Sequence, residues 1–128
     1  MNKSICISAV IPAYNREKTI ARAIDSVLAQ KYPAAEIIVV DDGSRDGTRT
    51  VVEGYGDKIR YFHQGNAGAA AARNRGVREA MYGWIAFLDS DDYWVPDHLQ
   101  RMADAMLATE EKAVLYFSDI ERRMSKKV

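Results

Sequence analysis

The sequence predicts an α/β fold in which helices cover both faces of a mostly parallel sheet. Apolar, β-branched runs alternate along the chain with segments of helical periodicity, an order typical of strand-helix-strand units. The runs are apolar at every position, which indicates strands that are buried on both faces. No internal repeat or low-complexity linker divides the 128 residues. We therefore expect a single domain over residues 1–128.

The first half of the chain is predicted to contain two strands, each followed by a helix. The strands are expected at residues 5–11 and 36–40, and the helices at 16–30 and 48–55. Asn15 is suited to cap the first helix and Asp46 or Thr48 the second. The apolar residues that recur at helical spacing in the first helix are Ile20, Ile24, Val27 and Leu28.

The second half continues the alternation. Strands are expected at residues 59–62, 84–88 and 114–117, and helices at 67–82 and 96–109. The helix at 67–82 is rich in alanine, which allows close approach to the sheet or to a ligand. Pro96 is suited to the first position of the last helix.

Composition excludes several classes of protein. The 18 basic and 18 acidic residues balance, so the charge does not indicate a nucleic-acid partner. The single cysteine, Cys6, cannot form an internal disulfide; we expect it buried on the first strand of a cytoplasmic protein. No apolar run reaches the ~20 residues that cross a bilayer. The basic residues at 122–127 are compatible with peripheral contact to the inner membrane face, although a solvated tail is the commoner interpretation.

Polar and acidic residues follow four of the predicted strands. In open parallel sheets, ligands bind beyond the carboxyl ends of the strands. The segments at these ends are 12–15, 41–44, 63–66 and 89–92. The candidate functional residues are therefore expected at one edge of the sheet.

The last of these segments contains two aspartates at alternate positions. In extended chain, Asp89 and Asp91 point the same way, and two close carboxylates share a proton, separate in water or hold a cation. Oxygen ligands suit Mg²⁺, Mn²⁺ or Ca²⁺ better than zinc. The alternative is a solvated acidic turn that caps the next helix. The position directly after a buried strand favours a metal site.

The other strand ends carry side chains that suit a nucleotide. The Tyr14 ring is expected either to stack on a base or to pack against the first helix. Neighbouring residues in a strand face opposite ways, so one of Asp41 and Asp42 is expected to face the crevice and the other to cap the following turn. Asp42 would accept a hydrogen bond from a base or ribose. Arg73 would meet a phosphate, although a surface arginine is the alternative.

Two familiar motifs are present only in part. Residues 42–53 match a calcium-binding EF-hand loop, but the segment before them is β-branched where a helix is required. Residues 65–68 lack the glycine spacing of the dinucleotide fingerprint. We therefore expect neither an EF-hand nor a Rossmann dehydrogenase.

Four motifs in this order resemble those of the family-two glycosyltransferases. The family's opening motif is similar to VIPAYN at residues 10–15, and its second to VVDDGS at 39–44. Its third is similar to NAG at 66–68 with ARNRG at 72–76. Its acidic metal-binding motif is similar to FLDSDD at 87–92, followed by Trp94 and Pro96.

The resemblance implies a GT-A fold, a nucleoside-diphosphate-sugar donor and inverting transfer to a glycan or lipid-linked acceptor. The donor would be UDP-linked. It implies that Asp91, with Asp89, holds Mg²⁺ or Mn²⁺, which would neutralise the diphosphate leaving group. The residues it implies for binding the nucleotide sugar are Ala13, Tyr14, Glu17, Asp42, Arg73, Asp89 and Ser90.

The family's general base lies well beyond the acidic motif, so we expect it beyond the end of this chain, with the acceptor-binding half. Asp119 and Glu121 do not sit in a recognisable base motif, and no catalytic residue is assigned. A sheet shortened in this way would expose an edge, which favours a homo-oligomer.

Two other functions share some of these features. A sugar nucleotidyltransferase would use the same sheet and metal, but usually has a glycine-rich, basic loop where this chain has residues 12–15. A non-catalytic module that binds a nucleotide or a protein partner is the third hypothesis.

Overall fold

The computed structural model describes residues 5–108, which form one parallel sheet with helices on both faces. Within this range the strands β1 (Ile7–Ala13), β2 (Glu36–Asp41), β3 (Arg60–His63) and β4 (Trp84–Phe87) pair in the order β3-β2-β1-β4. Each pairing is parallel. The helices are α1 (Ile20–Leu28), α2 (Thr48–Glu53), α3 (Ala69–Glu79) and α4 (His98–Ala108), with a 3-10 turn at Gly56–Lys58. The predicted fold class is confirmed; the predicted strand at 114–117 lies outside the described residues.

The central strand β1 is buried at every residue because helices cover both of its faces. Ile7, Ala9 and Ile11 belong to the larger apolar cluster, which includes residues of α1, α2 and α4. Val10 belongs to a second cluster on the opposite face, where Ala72 of α3 packs against it and β2. The continuous apolar run in the sequence therefore reflects two separate cores, one on each side of the sheet.

The second core is narrow where α3 crosses β1. A Cβ atom on Gly76 would lie 2.3 Å from Cγ1 of Val10, and Val10 is fully buried and β-branched. Replacing Gly76 with alanine is therefore expected to lower the free energy of unfolding by up to roughly 2 kcal/mol. Overpacking costs about 1–3 kcal/mol and exceeds the roughly 1 kcal/mol gain in helix propensity.

Urea denaturation measures this loss, and the chain offers two controls. Gly65→Ala is expected to leave stability unchanged because no atom lies within 4 Å of its added Cβ. In a Val10→Ala background, Gly76→Ala is expected to cost nothing further because the clashing methyl group is gone. An equal loss in both backgrounds would contradict the packing argument.

At the amino end of the strands, Glu36 connects three strands and the segment before β4. Its side chain is 7% exposed. Ser8 Oγ and the Met81 backbone N–H donate to Glu36 Oε2, each at 2.6 Å, and Arg60 Nη1 donates to Oε1 at 2.6 Å. Burial raises the pKa of Glu36, but the hydrogen bonds from Ser8, Met81 and Arg60 outweigh it and hold the pKa below its usual value.

Helix α1 begins four residues later than predicted. Its N-cap position is Thr19, and the predicted cap, Asn15, lies before the helix with a left-handed φ of 54°. The side chain of Asn15 instead accepts a hydrogen bond from the Arg45 N–H at 2.8 Å. Leu28, which the helical spacing grouped with Ile20, Ile24 and Val27, is exposed, since it lies 100° further round the helix than buried Val27.

Two smaller predictions were also wrong. Helix α4 begins at His98, and Pro96 lies two residues before it, because this segment docks on the end of α1. There the carbonyl of Pro96 accepts a hydrogen bond from the Lys31 N–H at 2.9 Å. Cys6 lies before β1 and is exposed. Thr109, the predicted last residue of this helix, is outside the described range.

Candidate functional site

A pocket of about 410 Å³ opens at the carboxyl ends of β1, β2 and β4. This volume lies within the roughly 300–1,000 Å³ of typical ligand sites. Three carboxylates and two guanidinium groups share the pocket with several small residues. Its lining residues are Pro12, Ala13, Tyr14, Arg16, Asp42, Asn66, Gly68, Ala69, Ala72, Arg73, Asp89, Ser90 and Asp91.

The structure brings together all but one of the residues that the sequence implicated in ligand binding. The exception is Glu17, which is not among the residues that line the pocket. Its carboxylate accepts a hydrogen bond from the Gly47 N–H at 2.6 Å, and its own N–H donates to Asp46 at 3.2 Å. Glu17 thus connects two loops beside the pocket.

The loop after β1 is held by the loop after β2. The Asn15 N–H donates to Ser44 Oγ at 2.8 Å, and the Arg16 N–H donates to Thr48 Oγ1 at 2.7 Å. These bonds fix the backbone next to Tyr14, and this residue is 45% exposed at the pocket. Strand β2 precedes this second loop, which confirms that residues 42–53 are not an EF-hand.

Asp41 and Asp42 face opposite ways, as predicted. Asp41 is fully buried and accepts hydrogen bonds from the Ser44 N–H at 2.9 Å and from the Tyr61 hydroxyl at 2.6 Å. Burial and the bond to Asp41 raise the pKa of Tyr61. Asp42 lines the pocket. Asp41 therefore caps the turn, and Asp42 faces the crevice.

The carboxylate of Asp42 organises the loop between β3 and α3. It accepts four hydrogen bonds of 2.9–3.1 Å, from the side-chain amides of Gln64 and Asn66 and the backbone N–H groups of Ala67 and Gly68. Burial raises the pKa of Asp42, but the bonds from Gln64, Ala67 and Gly68 outweigh it and hold the pKa below its usual value. Each oxygen accepts two bonds, so the acceptor capacity of the carboxylate is filled within the protein.

Gly43 allows the same loop to come close to β2. Its φ is 81°, and an added Cβ would lie 2.8 Å from the backbone N of Asn66. A side chain at this position would therefore be strained by its own backbone and would collide with the loop. The glycine of the VVDDGS motif thus has a packing role beside the pocket.

Helix α1 holds the acidic loop that follows β4. The Thr19 hydroxyl donates to the Ser90 carbonyl at 2.9 Å, and Arg22 Nη2 donates to the Asp91 carbonyl at 3.2 Å. The Arg22 guanidinium also lies 4.8 Å from the centroid of the Tyr93 ring, within the range of a cation–π contact. The backbone of the loop is thus fixed, and the carboxylates of Asp89 and Asp91 are left at the pocket.

Each pocket carboxylate of this loop lies beside an arginine. Arg73 Nη2 is 3.4 Å from Asp89 Oδ1, and Arg16 Nη2 is 3.8 Å from Asp91 Oδ2. Among residues 5–108, no three His, Cys, Asp or Glu side chains group closely enough to hold a metal by themselves. Two partly exposed carboxylates fit Mg²⁺ or Mn²⁺, since such ions keep water ligands and take others from substrate phosphates.

Sequence reasoning missed two contributions to this pocket. Arg16 sits in no motif that predicts an inward-facing side chain, and its pairing with Asp91 spans 75 positions. Asn66 and Gly68 belong to a recognised motif, but their bonds to Asp42 were not predicted. For Asn66 and Gly68, the NAG motif was the feature of the sequence that could have indicated a role at the pocket.

The fold and this pocket define a GT-A-type α/β domain with an acidic loop at the pocket. The chain belongs to glycosyl transferase family 2, whose family model matches residues 8–127. The predicted family is thereby confirmed.

Similar curated proteins are named glycosyltransferases. An uncharacterized glycosyltransferase of Nostoc sp. is 41% identical over 118 residues, which cover 89% of this chain and 37% of that protein. One of Rickettsia typhi is 37% identical over 115 residues, which cover 90% of this chain and 36% of that protein. This chain thus spans little more than a third of the length of these relatives.

Solved structures of similar fold contain nucleotides. TarS 1-349 of S. aureus in complex with UDP-GlcNAc is 31% identical, with a TM-score of 0.77 over 83% of this chain and 32% of that one. The mannosyltransferase PcManGT of Pyrobaculum calidifontis, in complex with GDP-Man and Mn²⁺, is 27% identical, with a TM-score of 0.67 over 73% of this chain and 30% of that one.

None of the helices in the described part of the chain has the length and apolarity that crossing a bilayer requires. Peripheral membrane contact stays a prediction, because the basic residues at 122–127 lie outside residues 5–108. Asp119 and Glu121 are likewise outside the described residues. Self-association also stays a prediction.

Proposed function

We propose that this chain binds the donor of a glycosyltransferase reaction, a UDP-linked sugar, together with Mg²⁺ or Mn²⁺. The observation that carries the proposal is the convergence of Tyr14, Arg73 and the pair Asp89 and Asp91 on one pocket. An aromatic ring, a guanidinium group and two carboxylates are the groups that a base, a diphosphate and a metal ion require. The UDP-GlcNAc in the similar TarS structure supports a UDP-linked donor, and the Mn²⁺ in the PcManGT structure supports a divalent metal.

Each group has a proposed part in donor binding. The exposed ring of Tyr14 stacks on the base, beside the small side chain of Ala13. Arg73 meets the diphosphate or the sugar, while Asp89 and Ser90 approach the ribose or the sugar. Asp42 acts mainly by shaping the wall, because its four acceptor positions already bind the loop at 64–68. A direct bond from Asp42 to the base would require exchange with one of these donors.

The metal is proposed to lie at Asp91, with Asp89 beside it. When bound, such an ion stabilises the negative charge that develops on the diphosphate as the sugar leaves. The chain's own residues position the nucleotide and keep the two carboxylates at the pocket. The proposed transfer inverts the anomeric centre and delivers the sugar to a glycan or a lipid-linked acceptor.

Calorimetric titration of the 128-residue chain with UDP and GDP, each with and without Mn²⁺, tests the proposal. Binding of UDP that strengthens with Mn²⁺ is the expected result. Binding of a nucleoside triphosphate with release of pyrophosphate would favour a nucleotidyltransferase instead. If neither UDP nor GDP bound under any condition, the donor-binding function would be wrong.

Replacing Tyr14 with alanine is expected to weaken UDP binding by roughly 1–3 kcal/mol, the value of one base–aromatic stack. Tyr14 is 45% exposed and lies outside the buried core, so removal of its ring should leave the core intact. Tyr14→Phe keeps the ring and is the matched control, with affinity close to wild type. Wild-type affinity in the alanine variant would mean that the ring does not contact the base.

A further inference from the structure

An ion pair between Arg16 and Asp91 lies within the pocket. Arg16 Nη2 is 3.8 Å from Asp91 Oδ2, and both side chains are 45% exposed. Both residues line the pocket, and Asp91 is the carboxylate that the proposed function assigns to the metal. The guanidinium group therefore stands beside a carboxylate that a divalent ion would need.

This ion pair is weak and easily exchanged. Its distance is close to the 4 Å limit for a salt bridge, and half-exposed pairs of this kind contribute little to stability because water screens them. A divalent ion on the same carboxylate would bring a second positive charge next to the guanidinium group. Repulsion between these like charges favours movement of the arginine away from Asp91.

The backbone of Arg16, unlike its side chain, is held in place by hydrogen bonds. Its N–H donates to Thr48 Oγ1 at 2.7 Å, and its carbonyl accepts hydrogen bonds from the N–H groups of Thr19 and Ile20 at 3.0 and 2.9 Å. Only the side chain of Arg16 can therefore change partner. A guanidinium group displaced from Asp91 stays at the pocket wall, where a diphosphate is the anion it can reach.

We propose that Arg16 exchanges partners during donor binding, from Asp91 in the free protein to the diphosphate once Asp91 holds the metal. The inference rests on the proposed function and adds a specific role for a residue outside the recognised motifs. Arginine suits this exchange because its planar fork pairs with carboxylate and phosphate alike. Arg16 would thus oppose binding of the metal alone and favour binding of the metal with a nucleoside diphosphate.

The variant Arg16→Gln tests this role because it should change two affinities in opposite directions. Without nucleotide, Mn²⁺ binding is expected to strengthen by roughly threefold, since the competing cation is gone. At saturating Mn²⁺, UDP binding is expected to weaken by about tenfold, the size of a lost charge-assisted hydrogen bond. Uridine, which has no phosphate, should bind as it does to the wild type. Calorimetry on the full chain measures all three.

Two further variants separate this role from general effects of charge or folding. Arg49→Gln removes the same charge from a surface pair with Glu53 outside the pocket, and is expected to leave both affinities unchanged. Arg16→Lys keeps the positive charge but loses the planar guanidinium group. It should bind Mn²⁺ as weakly as the wild type does, and its UDP affinity should lie between those of Arg16→Gln and the wild type. Thermal unfolding shows whether each variant is folded.

The possible outcomes are distinct. Opposite shifts in the two affinities of Arg16→Gln would support the exchange. Two shifts of the same sign, or no shift in either, would overturn it while leaving the proposed function in place. A wild-type chain that bound neither Mn²⁺ nor UDP would overturn the proposed function and this inference with it.

Discussion

Replacing Asp91 with alanine is expected to lower Mn²⁺-dependent UDP affinity by at least about 100-fold, because a direct ligand matters at least as much as the outer-shell groups whose loss costs 10–100-fold. The free energy of unfolding should hardly change. The side chain is 45% exposed and its ion pair with Arg16 is 3.8 Å long, and such pairs contribute only about 0–1 kcal/mol.

Calorimetry with and without Mn²⁺, followed by thermal unfolding of the same samples, checks both parts. Asp104→Ala is a matched control, since Asp104 is an exposed aspartate bonded to Gln100 on α4, away from the pocket. It should bind UDP and Mn²⁺ as the wild type does. Undiminished metal-dependent affinity in Asp91→Ala would remove Asp91 from the metal site.

Replacing Asp42 with asparagine is expected to lower the free energy of unfolding as well as UDP affinity, whereas Asp91→Ala should lower affinity alone. The new amide NH₂ would face two N–H donors at the place where one carboxylate oxygen now accepts hydrogen bonds from both. Hydrogen bonds to a charged group contribute about 1.5–3 kcal/mol each, so the free energy of unfolding should fall by about 2–3 kcal/mol. UDP affinity should fall with and without Mn²⁺, because the loop at 64–68 forms part of the pocket wall.

Urea denaturation of Gln64→Ala provides a milder variant with which the stability loss of Asp42→Asn can be compared. That variant removes one of the four donors to Asp42 and keeps the carboxylate, so its cost should be that of a single bond to a charged group, about 1.5 kcal/mol. If Asp42→Asn were no more destabilising than Gln64→Ala, the carboxylate would not be what holds the loop.

The lowered pKa of Asp42 adds a pH dependence to the same experiment. A carboxyl group whose pKa is lower in the folded than in the unfolded state contributes stability above its unfolded pKa, about 3.9 for aspartate. That contribution is lost as the pH falls through the folded pKa. Stability measured below about pH 4 should therefore decline less steeply in Asp42→Asn than in the wild type. Equal slopes would contradict this linkage.

Much of the fold was predictable because its causes are local. The apolar runs of β1 and β2 and the helical spacing around Ile24 are patterns within single segments, and the structure has those elements. The opposite orientations of the Asp41 and Asp42 side chains were predictable for the same reason, since side chains alternate along a strand. The order of these elements then placed the strand ends, and with them most of the pocket.

The parts that the sequence did not predict depend on contacts between distant segments. Asn15 has the residue type of a helix cap, but its bonds with Ser44 and Arg45 span about 30 positions. The position of Pro96 was likewise decided by its contact with the end of α1. The family resemblance implied that Glu17 binds the nucleotide sugar, yet its carboxylate accepts a hydrogen bond from the backbone of Gly47. Periodicity carries no information about such partners, so these details required the structure.

The contacts of Glu36 at the amino end of the strands have a consequence for how the protein tolerates change. β1 rises by roughly 3.3 Å per residue, so its seven residues separate Glu36 from the pocket by on the order of 20 Å. Sites that far apart affect stability additively. Mutations that alter ligand preference at the pocket can therefore accumulate without weakening the hydrogen bonds of Glu36. The fold can thus acquire new ligand specificities without losing this source of stability.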